Sequence, residues 1–251
     1  MLNLIEHGQP TDAPDLVIVH GLYGSARNWG VIAKRLSDRR RVIAVDQRNH
    51  GQSPRTDTQS YDDMAADLAE VIASLRGRAD VLGHSMGGKA AMVLALTRPE
   101  MVNRLIVADI APVAYEHSQI QYIEAMRAVD LSQVEKRSDA EAQLARVVED
   151  PTLISFFTQS LDVKEKKWRL NLDVLAREMP RILGFPDING QFDGETLFLS
   201  GAESDYVKPA YRDRIKALFP KARFAKIPGA GHWLHAEKPR EFEAAVRTWL
   251  G

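Results

Sequence analysis

A chain of 251 residues, with 45% hydrophobic and 27% charged side chains, is long enough for one large globular domain with an insertion or for two small domains. Its formal net charge of −1 argues against nucleic acid or an acidic membrane surface as a partner, and no apolar run approaches the roughly 20 residues of a membrane span. The lack of cysteine excludes disulfides, thiolate metal sites and a cysteine nucleophile; with an N-terminus that has neither a basic region nor a long apolar core, it leads to an expected cytoplasmic location.

Residues 2–6 alternate weakly and predict an edge strand, followed by a proline-containing turn at 9–14. Leu16-Val17-Ile18-Val19 is a continuous run, the mark of a strand buried on both faces. It runs into His20-Gly21-Leu22-Tyr23-Gly24-Ser25. A short helix is expected at 29–36 and a second buried strand at 42–45, which ends in Asp46-Gln47-Arg48-Asn49-His50-Gly51-Gln52-Ser53. Across 61–75, Met64, Leu68, Val71, Ile72 and Leu75 recur at helical spacing. Residues 79–82 read as a strand, 89–96 as a buried helix and 104–109 as another buried strand.

From about 113 to 189 the pattern changes: Glu, Gln, Lys and Arg dominate, apolar residues keep helical spacing, and no clear strand is visible. Phe156, Phe157, Trp168, Leu172, Leu175 and Leu183 make this block too apolar for a solvated linker. The strand pattern resumes at 196–199, with a helix at 209–219, a strand at 223–227, a Gly-rich turn at 229–232 and a last helix starting near 238. Strands alternating with helices predict an α/β fold: a mostly parallel sheet with helices on both faces. The expected division is a core of residues 1–112 and 190–251, with a helical cap inserted at 113–189. In such sheets ligands bind outside the carboxyl ends of the strands. His20, Asp46, Ser85, Asp109 and His232 all fall there.

The stretch with the sharpest chemistry is Gly83-His84-Ser85-Met86-Gly87-Gly88, a G-x-S-x-G between a strand and a helix. That is the form of a nucleophile elbow, with Ser85 at a strained tip and Gly83 and Gly87 where a Cβ would clash. A serine hydroxyl needs a base. Of the seven histidines, His232 follows the last strand, where the chain order Ser…Asp…His puts it, and His235 is the reserve. His84 is turned away from the serine, and His20 is expected to hold loop structure. His232 and His235 lack a third partner or an HExxH pattern, so no metal is expected. An oxyanion in acyl transfer needs two donors. The Met86 N–H is one, and the Leu22 N–H in the loop after the first buried strand is the other. Two acids compete to orient the base, Asp109 and Asp205.

The elbow, the His20–Ser25 loop, the segment Asp46-x-Arg48-Asn49-His50-Gly51-x-Ser53 and the ending Gly229-Ala230-Gly231-His232-Trp233 together resemble the α/β-hydrolases. With Asp109-Ile110-Ala111-Pro112-Val113 added, the chain resembles the small bacterial YbfF-type esterases over nearly its whole length. The resemblance implies a cofactor-free serine hydrolase acting on small-molecule carboxylic esters or acyl thioesters. It also bears on the acid. Most α/β-hydrolases carry it three residues after a glycine that follows the next-to-last strand; here Gly201 is followed at that place by Ser204, and Asp205 is one place late. YbfF-type esterases take the acid from the strand after the elbow, which favours Asp109. The resemblance assigns Asp46 and Arg48 to structure.

Competing readings are a carbon–carbon bond hydrolase or a perhydrolase with the same three residues, and a non-catalytic receptor on the same fold. Ser85 in place of an elbow aspartate argues against epoxide hydrolase or dehalogenase chemistry. Tyr23 and Trp233 are the expected substrate-binding residues, with Met86, Tyr115, Phe156, Phe157 and Trp168 as further candidate pocket walls. Lys164-Glu165-Lys166-Lys167 could meet a phosphate, though such runs commonly form a solvated face. Oligomeric state is not legible.

Overall fold

In the computed structural model, which describes residues 1–251, the short apolar runs form the centre of a seven-stranded sheet. The strands in chain order are β1 (Leu4–His7), β2 (Leu16–Val19), β3 (Val42–Val45), β4 (Ala79–His84), β5 (Val102–Ala108), β6 (Leu161–Asp162), β7 (Lys167–Trp168), β8 (Glu195–Gly201) and β9 (Ala222–Ile227). The helices are α1 (Gly30–Leu36), α2 (Tyr61–Ser74), α3 (Met86–Thr97), α4 (Ile120–Arg127), α5 (Arg137–Leu144), α6 (Pro151–Thr158), α7 (Leu172–Arg177), α8 (Met179–Leu183), α9 (Arg212–Leu218), α10 (Leu234–Glu237) and α11 (Pro239–Leu250). The sheet order is β1-β3-β2-β4-β5-β8-β9. Only β1 runs antiparallel, against β3 at the edge; every other pair is parallel.

Parallel pairing needs crossovers, and the crossovers put helices on both faces. The strand runs are apolar without alternation for that reason. Val17, Val19, Ile43, Val45, Val81 and Val107 face α2 and α3. Leu16, Ile18, Val42, Ala44, Leu82 and Ile106 face α1 and α11. α2 begins where Ser60 accepts a hydrogen bond from the Asp63 N–H, a side-chain cap that stops the helix from fraying toward the loop.

Between β5 and β8 the chain leaves the sheet and forms α4–α8 with the β6–β7 hairpin. This hairpin was not visible in the sequence. Strands of two residues are too short to show alternation. Trp168 sits in it and is not a pocket wall: it is buried, and its indole N–H donates to the Met126 carbonyl at 2.9 Å. Lys164 and Lys166 lie on the exposed hairpin turn and Lys167 opens β7, also exposed, with Lys166 Nζ bonded to the Ser132 carbonyl. The inserted segment is tied to the sheet domain by buried groups. The Tyr61 hydroxyl donates to the Ile182 carbonyl at 2.6 Å, Lys89 Nζ to the Leu183 and Gly184 carbonyls at 2.8 and 2.6 Å, and the Asn171 N–H to the Asn49 carbonyl at 2.9 Å. These ties hold its inner side over the carboxyl ends of β2, β4, β5 and β8.

Candidate active site

β4 ends at His84 and α3 starts at Met86, so one residue makes the whole turn. That residue, Ser85, has φ 52° and ψ −121°, a conformation that L-residues avoid because Cβ crowds the backbone. The two glycines flanking it answer different neighbours. A Cβ on Gly83 would come within 2.3 Å of the Gly87 carbonyl oxygen, where strand and helix cross. A Cβ on Gly87 would meet the carbonyls of Val19 and His20 at 2.4 Å, so that glycine makes room for the neighbouring strand β2 rather than for β4.

The turn points the Ser85 hydroxyl at the loop after β9. Ser85 Oγ lies 3.0 Å from His232 Nε2, and His232 Nδ1 lies 2.7 Å from Asp109 Oδ2. With Nδ1 donating to the carboxylate, Nε2 is left as the acceptor for the serine proton. Asp109 follows β5 with φ 51°, and its side chain is fully buried. Its Oδ1 accepts from the Gly201 N–H at 3.1 Å and its Oδ2 from the Ser204 hydroxyl at 2.5 Å. Asp205 is elsewhere: its side chain is 77% exposed and pairs with Lys208 at 3.6 Å. Of the two competing acids, only Asp109 reaches the imidazole. The serine that occupies the more usual acid position, Ser204, bonds to that acid.

The loop after β2 is held by two other histidines. His20 Nε2 accepts from the Gln47 N–H at 3.0 Å while Nδ1 donates to the Gly21 carbonyl at 2.7 Å. His50 Nε2 accepts from the Tyr23 N–H at 3.2 Å and its Nδ1 donates to the Arg48 carbonyl. Burial pushes both rings toward the neutral form, His50 down to about 3. Tyr23 is thereby kept at φ 64°, and the Leu22 N–H before it donates to no group of the chain. The Met86 N–H is the first of its helix and has no partner within it.

His84 and His235 do not reach the serine. His84 Nε2 donates to the His232 carbonyl at 2.8 Å, which fixes the backbone of that loop. His235 is buried in α10 and stacks on Trp29 with ring centroids 4.1 Å apart. Burial holds His84 well below the ordinary histidine range and His235 down to about 3. Asp46 accepts from Asn3 Nδ2 and the Ala26 and Gln52 N–H groups, and Arg48 grips Asp67 with two nitrogens, which are structural tasks.

A cavity of about 280 Å³ opens beside Ser85 between the sheet domain and the inserted segment. Tyr23, Met86, Tyr115, Phe156, Phe157 and Trp233 line it, as the sequence predicted; the Tyr23 hydroxyl is occupied with the Gln119 carbonyl at 2.8 Å. Lys89, Tyr122 and Tyr206 also line it and carried no signal of their own in the sequence. Burial lowers the Lys89 ammonium to about 7, and its Nζ donates to two carbonyls and lies 4.8 Å from the Tyr115 ring centroid. Ser204 was legible only as a departure from the usual acid position.

Residues 14–239 match the family model described as the alpha/beta hydrolase fold. The chain is 43% identical over 248 residues to the sn-1-specific diacylglycerol lipase ABHD11 of Mus musculus, covering 94% of this chain and 81% of that one. It is 40% identical over 239 residues to Esterase YbfF of Escherichia coli, covering 94% and 92%. Among solved structures, a marine microorganism esterase superposes with a TM-score of 0.93 at 38% identity, over 98% of both chains.

Proposed function

The chain belongs to the α/β-hydrolase family, and from that premise we propose that it is a carboxylic ester hydrolase working through an acyl-enzyme. What carries the reading is the line Ser85 Oγ–His232 Nε2–Nδ1–Asp109 Oδ2, with contacts of 3.0 and 2.7 Å, at the edge of an apolar cavity. Ser85 Oγ attacks the ester carbonyl carbon while His232 Nε2 takes its proton. The carbonyl π pair moves to oxygen, and the Leu22 and Met86 N–H groups receive that charge. As the tetrahedral species collapses, the alkoxide leaves with the proton from His232, and a water repeats the sequence on the acyl-serine. Asp109 keeps Nδ1 protonated and stabilises the imidazolium. Residues 113–189 act as the cap.

Tyr23 and Trp233 would contact substrate at the serine. A cavity of about 280 Å³ is roughly twice the ~150 Å³ that holds one benzene, room for about a dozen non-hydrogen atoms. Short- to medium-chain acyl groups fit that volume; a long fatty acyl would leave part of its chain outside. The test is kcat/KM on p-nitrophenyl esters from acetate to palmitate, beside Ser85→Ala. Ser85-dependent turnover peaking at or below about ten carbons is expected. A peak at palmitate would overturn the size argument and make long acyl thioesters the next substrates. No turnover on any ester would sink the esterase reading in favour of carbon–carbon hydrolysis or a receptor.

A further inference from the structure

The His232 imidazole has a covered face. The Tyr206 ring lies over it, 4.0 Å between centroids and 20° between planes. Tyr206 sits in the loop after β8 and is held at three points. Its N–H donates to Ser204 Oγ at 3.3 Å, its carbonyl accepts from the Tyr115 hydroxyl at 2.7 Å, and its hydroxyl bonds His117 Nε2 at 2.8 Å. Tyr115 is in turn anchored by its own N–H to the Leu183 carbonyl at 3.0 Å. Segments far apart in sequence therefore set the tilt and height of one ring over the imidazole.

A ring stacked by chance on a loop would not need three anchors. The chemistry supplies a purpose. When Ser85 gives up its proton, the imidazole becomes a cation, and an aromatic face attracts a cation lying over it. Asp109 stabilises that cation in the plane of the ring, through Nδ1; Tyr206 does so from above. Glu237 accepts from the Gly231 and Trp233 N–H groups on either side of His232, at 2.7 and 3.2 Å, so its charge is engaged by the loop backbone. His84 and His235 are kept neutral by burial, and Trp233 meets the ring at 64°. Asp205, next to Tyr206, is exposed and paired with Lys208. The phenol of Tyr206 is itself pushed up to about 12, by burial first and by Asp109 second, so the ring acts as a neutral π face.

Resting on the Ser85–His232–Asp109 reading, we propose that Tyr206 is a positioning residue: its ring keeps His232 in line with Asp109 and stabilises the imidazolium of acyl transfer. The experiment compares Tyr206→Phe, Tyr206→Leu and Tyr206→Met in the whole chain. It reads kcat against pH and the His232 titration by NMR in a Ser85→Ala background. Leu and Met keep an apolar cover over the imidazole, so they remove the π face without opening it to water. Tyr206→Phe is expected to stay within about twofold of the parent, because the ring remains. Leu and Met are expected to lose about three- to tenfold in kcat, and the His232 titration should move to lower pH by about half a unit. An unmoved titration in both Leu and Met overturns the proposal, as does a loss in Phe equal to theirs. Turnover that survives Ser85→Ala sinks the triad reading itself, which keeps the two failures apart.

Discussion

The strand β4 begins beside a buried ion pair and ends beside a strained serine, and its two ends are built on different terms. At the amino end, Arg40 Nη1 lies 2.7 Å from Asp80 Oδ2, with both side chains almost wholly buried. Asp80 Oδ1 accepts from Asn103 Nδ2 at 2.7 Å and from the Arg104 N–H at 3.1 Å. Arg41 reaches Asp15 through two nitrogens. None of these residues has a positive φ. At the carboxyl end, Tyr23, Ser85 and Asp109 all do, the imidazoles of His20, His50, His84 and His235 are buried toward the neutral state, and a cavity is left open. The closed, fully paired end needs only to be stable. The open end stores strain and unpaired capacity, which persist only where the surrounding structure over-determines them.

Substitutions at the two ends should therefore separate into losses of rate and losses of stability. The largest effect is expected from Ser85→Ala: kcat falls by roughly 10⁴-fold or more while the thermal midpoint stays within a few degrees, read by ester turnover and calorimetry. Retained turnover in a folded protein would break the comparison at its centre. Asp109→Asn comes next, with a loss of about 10³- to 10⁴-fold in kcat because the base is left misoriented and its cation unstabilised. Asp205→Asn should stay within about threefold, and the reverse order would move the acid to the exposed loop.

Asp80→Ala belongs to the other end. Leaving Arg40 buried without its partner should cost about 3–5 kcal/mol in urea unfolding, with kcat of the folded protein close to that of the parent. A fall in kcat comparable to that of Asp109→Asn would show that the two ends are not independent. A further contrast is the acid dependence of stability. His50 and His235 are held down to about 3 in the fold, against about 6.5 in the open chain. Between those values the unfolded chain binds protons that the folded one refuses. Stability is full above about pH 6.5 and falls as pH drops toward 3, by up to about 1.4 kcal/mol per pH unit for each histidine. Replacing His235 by Phe, which keeps the stack on Trp29, should flatten that slope; an unchanged slope would remove His235 from the account.

Most of the sheet was legible because buried parallel strands leave a local mark. Leu16–Val19 and Val42–Val45 are unbroken apolar runs, and both are strands. The elbow was legible because the close approach of its strand, its helix and β2 demands glycine at fixed spacing around Ser85. The β6–β7 hairpin left no mark because two residues carry no period, and Trp168 was ambiguous because an aromatic side chain reads the same in a core as in a pocket.

The sequence by itself determined the α/β alternation, the serine at the turn and the histidine after the last strand. Each depends on residues close together in the chain. The residues left two acids open, the family resemblance favoured Asp109, and the tertiary structure brings that one to His232. Asp109 and Asp205 lie 96 positions apart and end different strands, β5 and β8, and only their register in the sheet aims one at the imidazole and leaves the other in solvent. The same holds for Ser204 on the acid, Tyr206 over the base and Lys89 against the inserted segment. Those contacts join residues whose separation along the chain says nothing of their distance in space.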